Sequence, residues 1–265
     1  MSLVTPSIPQ PSQEDAQPAA VLLPEAPTRD PGLGILELLG LVPAFFALSI
    51  LLSLIFLVPL MVWMVAQGTL SPGEQPPLTI FVRAALPAQA LAYLLLIVAV
   101  RVVLAKRGKH DLLAAVHWNW PSRLSVVGLF VLGIGVALIA SAVSVHMRVP
   151  PNAPIFEMLK DKVVAEMFVV FGIAIAPFTE EFYFRGLLYP VLRRHTGTTA
   201  AVLITSVFFA LIHASQLANS LGPVFLLLMV GLLLTIIRAR TDSLAASVIL
   251  HVAYNTTLFV VGAFL

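Results

Sequence analysis

No cysteine occurs among the 265 residues, so disulfides, thiolate metal sites and a cysteine nucleophile are all excluded. Charge is also scarce. Asp, Glu, Lys and Arg make up 11% of the chain, against about 25% in soluble domains, while 59% of it is hydrophobic. The net charge of +2 is too small to point to nucleic acid. No G-x-S-x-G is present to supply a serine nucleophile, and no H-E-x-x-H to supply a zincin-type site. The abundant feature is the long apolar run, which predicts an all-α, polytopic transmembrane helical bundle.

The first 32 residues stand apart. They hold seven prolines and no apolar stretch beyond V-L-L, and lack the basic start and apolar core of a signal peptide. We read residues 1–32 as a disordered, Pro-rich tail. Apolar runs near the 20 residues needed to cross a bilayer follow at about 38–66, 78–100, 124–146, 163–190, 199–218, 222–237 and 243–265. Seven spans are therefore expected. Arg101, Lys106, Arg107, Lys109 and Arg123 fall after the second, Arg193 and Arg194 after the fourth, and Arg238 and Arg240 after the sixth. With the amino terminus in the cytoplasm, all three basic groups lie inside, as topology rules prefer. Residues 33–147 form a scaffold half and 148–265 a second half that holds nearly all the buried polar groups.

Those groups are the informative ones, because a charge near the bilayer centre costs about 2.5–3.5 kcal/mol on insertion scales. Glu180, Glu181 and Arg185 interrupt one span in A-P-F-T-E-E-F-Y-F-R-G; His213 closes F-F-A-L-I-H; His251 and Asn255 sit in L-H-V-A-Y-N. At 1.5 Å per residue, Glu180 lies roughly 20 Å from the cytoplasmic end of its helix, His213 roughly 21 Å, His251 roughly 12 Å and Asn255 roughly 18 Å. Three helices thus bring polar groups to overlapping depths.

Adjacent Glu180 and Glu181 point about 100° apart. Arg185 follows Glu181 by four, the order that favours an ion pair, which leaves Glu180 to face a cavity. Pro177 should free carbonyls and bend the helix there. Phe209 and His213 share one face, as do His251 and Asn255. Ser206, Thr205, Thr256 and Thr257 are expected to bridge helices, and G-I-G-V-A-L-I-A-S-A to permit close packing. His110, His117, His146 and His195 read as surface or interfacial.

A buried carboxylate and a histidine from another helix can take a proton from water, and a second histidine with an Asn can offer donors to an oxyanion. That set makes an acyl-bond hydrolase with activated water as the nucleophile. Intramembrane Glu and His also serve proton-coupled transporters, but no internal repeat is visible. A third reading is a non-catalytic membrane scaffold.

E-E-F-Y-F-R, F-A-L-I-H and H-V-A-Y-N resemble the three motifs of the CAAX-protease and bacteriocin-processing family of intramembrane proteases, in order and at full spacing, over roughly residues 165–262. The resemblance implies an endopeptidase in which Glu180 and His213 activate the water, His251 and Asn255 stabilise the oxyanion, and Glu181, Arg185 and Phe209 support them. Two chemistries stay open: a divalent metal such as zinc on Glu180, His213 and His251, or no metal. The implied partners are the lipid bilayer and a peptide or membrane-protein substrate, hydrophobic or prenylated. The composition suggests a bacterial cytoplasmic membrane.

Overall fold

A computed structural model describes residues 31–71, 73–121, 125–147, 160–217 and 219–264. The tail expected over 1–32, apart from its last two residues, lies outside these, as does Arg123. Among the described residues the chain is all helix: α1 Ile35–Ala66, α2 Leu78–Lys106, the single turn α3 Leu112–Ala115, α4 Val126–Ser144, α5 Lys162–Ile212, α6 Leu221–Thr241 and α7 Leu244–Phe264. All but α3 are long and apolar enough to cross a membrane. The apolar exteriors of Ile50, Val62, Val127, Ile139, Leu203 and Leu211 suit contact with lipid.

Local chemistry sets the boundaries. Asp111, Ser125 and Asp161 each accept the backbone N–H three residues on, from Ala114, Gly128 and Val164, and so start α3, α4 and α5. Val164 N–H, with Arg83 beside it, holds the Asp161 carboxyl below its ordinary range, because both favour the charged form. Arg83 Nη2 meets Asp161 Oδ2 at 2.7 Å, which ties the start of α2 to that of α5. α6 ends where Asp242 turns left-handed (φ 50°), and one residue later the Ser243 hydroxyl accepts from Ala246 N–H to open α7.

The seven expected apolar segments appear among the described residues as six candidate spanning helices, because the fourth and fifth are the two arms of the 51-residue α5. A straight helix of that length would be about 77 Å long, well beyond a bilayer core of about 30 Å. Gly197, at φ 78° and ψ 171°, breaks the helical geometry. The arms on either side fold back together, so that the Phe184 and Phe209 rings meet edge-on at 5.4 Å. One glycine does the work expected of a polar loop.

The small-residue stretch of α4 packs on α7, the most buried of the spanning helices. A Cβ on Gly133 would stand 2.6 Å from Leu250 O and 2.7 Å from Ala253 Cβ. Glycine is therefore what lets the two backbones approach. α6 and the second arm of α5 close on α7 from other sides, through Leu234, Ile237 and Phe209.

Candidate active site

The helix that carries the glutamates is not regular. It is π-helical over Phe171–Ile175 and again over Phe182–Leu188, with the six-residue α-helical turn Ala176–Glu181 between. Pro177 sits in that turn and cannot donate, so carbonyls before it need other partners. Thr179 Oγ1 donates to Ile175 O and Ala176 O, both at 3.0 Å. Asn255 Nδ2 donates to Gly172 O at 2.8 Å. Wide turns of this kind redirect side chains and are frequent at functional sites.

Glu181 and Arg185 are wholly buried and paired, Nη1 to Oε1 at 2.9 Å. Arg185 spends its other donors on α6: Nη2 to Gly231 O at 2.9 Å and Nε to Thr235 Oγ1 at 3.1 Å. The Phe209 ring lies 4.6 Å from its guanidinium carbon, a cation–π contact in a dry setting. His251 Nδ1 donates to the same Glu181 oxygen at 2.9 Å. That bond leaves Nε2 turned to Glu180 Oε2, 3.9 Å away. On the opposite side, His213 Nδ1 donates to Phe209 O at 2.8 Å, and its Nε2 stands 3.6 Å from Glu180 Oε1. Glu180 is thus set between two imidazoles, each oriented by a bond from its other nitrogen.

Glu180, His213, His251 and Asn255 line one cavity of about 710 Å³, together with Gln89, Tyr93, Gln216 and Tyr254. Glu180 also lines a second cavity of about 270 Å³, walled mainly by apolar side chains of α1 and α5, among them Val42, Phe45, Phe184 and Ile212. Phe45, Phe46 and Tyr93 belong to both walls, and Tyr93 stacks on Phe45 at 4.7 Å. Sequence reasoning missed this contribution of α1 and α2. Its one signal was Gln89 and Tyr93 at i, i+4 in an apolar span, joined here at 3.3 Å.

Residues 163–257 match the family model described as Rce1-like, Type II CAAX prenyl endopeptidase. Over that segment the chain is similar to the Rce1-like family. No curated protein and no solved structure matches the chain. The Rce1-like segment begins at the start of α5 and ends in α7, and it contains every residue of the three motifs. With six spanning helices, it marks a multi-pass membrane protein. α1 and α2, which complete the cavity wall, lie outside the Rce1-like segment.

Other expectations meet mixed outcomes. Glu180 presents a different oxygen to each histidine, and no set of three or more His, Asp or Glu among the described residues is disposed to hold a metal ion. Of the four hydroxyls expected to bridge helices, two bond their own helix: Ser206 to Val202 O and Thr257 to Ala253 O, each four residues back, while Thr205 Oγ1 is buried with no hydrogen-bond partner among the described residues. Ser206 Oγ also reaches Thr235 Oγ1 on α6, at 3.4 Å. His110, His146 and His195 are exposed, but His117 is buried. A left-handed backbone (φ 58°) turns His117 inward, where Nδ1 meets Asp242 Oδ2 at 3.0 Å.

Proposed function

We propose that this chain is an intramembrane endopeptidase that hydrolyses a peptide bond with water activated by Glu180 and His213. The observation that carries the reading is the placement of Glu180 between His213 Nε2 and His251 Nε2, at 3.6 and 3.9 Å, on the wall of a cavity inside an apolar bundle. Both spacings exceed a direct hydrogen bond and leave room for one water to bond Glu180 and His213 together. His213 donates from Nδ1 to Phe209 O, so Nε2 is the nitrogen available to the water.

The water loses its proton to the Glu180–His213 pair as its oxygen bonds to the carbonyl carbon. Acting as an imidazolium, with Nδ1–H held by Glu181, His251 donates from Nε2–H to the oxyanion that forms. Asn255 has two amide hydrogens; one is held by Gly172 O, and the other serves the same oxyanion. Collapse of the tetrahedral species breaks the C–N bond, and the proton taken from water passes to the leaving nitrogen. Glu181, Arg185 and Phe209 hold the two imidazoles in place. No step needs a metal.

The substrate is a hydrophobic peptide or membrane-associated protein that enters from the bilayer, with prenylated proteins within the class the family description names. The cytoplasmic membrane of a bacterium, with the amino terminus inside, fits the composition and the distribution of basic residues. The test is a comparison of peptide termini in membranes that carry the wild type, Glu180→Gln or His213→Ala. Termini present only with the wild type support the reading. Identical termini with equal expression overturn it and turn attention to proton-coupled transport.

A further inference from the structure

Two carbonyls of α5 have lost both of their backbone partners by the same local device. In the first π turn the Ala176 amide reaches back five residues to Phe171 O, which withdraws it from Gly172 O, its partner in an α-helix. The next amide that could serve Gly172 O belongs to residue 177, a proline. In the second π turn the Tyr189 amide goes to Phe184 O and is withdrawn from Arg185 O. Here the next residue, 190, is again proline.

Inside a membrane such carbonyls must find a donor within the protein. Asn255 Nδ2 from α7 donates to Gly172 O at 2.8 Å, and Arg238 Nε from α6 donates to Arg185 O at 3.2 Å. Each proline creates an acceptor, and each neighbouring helix supplies its donor. The two capped turns flank Ala176–Glu181, which carries both glutamates.

Arg238 lines neither cavity, and its side chain is only 2% exposed. Its Nη1 meets Asp242 Oδ1 at 2.8 Å, and Asp242 is held in turn by His117 Nδ1 at 3.0 Å. A buried guanidinium aimed in this way at a backbone carbonyl of the ion-paired arginine has a directional task. We propose that Arg238 is a positioning residue for the candidate site. By bonding the carbonyl that Pro190 leaves without a donor, it holds the wide turn Phe182–Leu188 and so the direction of Arg185 toward Glu181. Asn255 does the same for the turn at Gly172. Only the kinetic arm of the test rests on the protease reading.

Pro190→Ala returns an amide where Arg185 O can use it, and Pro177→Ala does so for Gly172 O. The experiment is a set of double-mutant cycles on thermal unfolding of the full chain in detergent. Arg238→Ala should lower Tm by roughly 4–10 °C. Adding Pro190→Ala should recover at least half of that loss, although Pro190→Ala alone gains nothing. Asn255→Ala should be relieved by Pro177→Ala. The crossed pairs, Arg238→Ala with Pro177→Ala and Asn255→Ala with Pro190→Ala, should be additive. If Arg238→Ala does not fold, Arg238→Gln carries the same cycle.

On a cleaved peptide, Arg238→Ala should reduce kcat roughly tenfold or more at unchanged KM, with Pro190→Ala restoring it. Additivity in the matched pairs overturns the proposal, as does a raised KM at constant kcat. A wild type that cleaves nothing would end the protease reading, and the thermal cycles would still decide this one.

Discussion

His251 Nδ1 and Glu181 Oε1 meet at 2.9 Å in a wholly enclosed contact between α7 and the first arm of α5. The same oxygen takes Arg185 Nη1, so one carboxylate orients an imidazole of the candidate site and compensates a buried guanidinium. Glu181→Gln keeps the volume but leaves the Arg185 charge uncompensated. Breaking one partner of a buried pair costs about 3–5 kcal/mol. We expect Glu181→Gln to be among the least stable single variants, far below Glu180→Gln, in a detergent unfolding comparison. Equal melting temperatures for the two glutamines would contradict this division of labour.

The turn within α5 depends on backbone conformation alone. Nothing lies within 4 Å of a Cβ placed on Gly197, yet its φ is +78°. Gly197→Ala and Gly197→Asn should therefore each cost about 1–3 kcal/mol through strain, because φ 78° with ψ 171° lies outside the left-handed helical region that Asn tolerates and is essentially restricted to glycine. Chemical denaturation of the three proteins should place both variants below the wild type by similar amounts, and an unchanged midpoint in either would contradict the backbone requirement.

Gly172 is constrained in the opposite way. A Cβ there would come within 2.6 Å of the Phe259 ring on α7. Gly172→Ala should destabilise by about 1–3 kcal/mol through overpacking, and Phe259→Leu should relieve it in the double variant. Retention of the full loss in the double variant would place the strain elsewhere.

Asp242 lies between α6 and α7, where burial raises its carboxyl pKa but hydrogen bonds from His117 and Arg238 outweigh burial and hold it at about 2. A carboxylate depressed in the folded state stabilises above its ordinary value of 3.8, and that contribution fades as pH falls through about 2. The Tm gap between wild type and Asp242→Asn should be constant at neutral pH and shrink only below about pH 4. A gap that closed as pH rose from 6 to 8 would assign the effect to a histidine.

Membrane character, helical class and the candidate polar set follow from the sequence by itself. Apolar runs of spanning length and ionisable residues inside them are one-dimensional facts with strong energetic consequences. The Glu181–Arg185 pair was legible too, because both residues lie one turn apart on one helix. Pro177 announced freed carbonyls for the same local reason. The break between the two arms of α5 was legible from the gap between apolar runs, but that a single glycine with positive φ makes it was not. Tertiary structure alone decided which donor fills each freed carbonyl. It also decided that His251 bonds Glu181 while facing Glu180, that His117 turns inward, and that Phe45 and Tyr93 from the first two helices wall the cavity. Those contacts join residues that are 70 or more positions apart in the chain for His251 and Glu181, and 83 for Asn255 and Gly172. Only the packing of α4, α6 and α7 around the bent α5 brings such residues to hydrogen-bond distance, and no local periodicity encodes that.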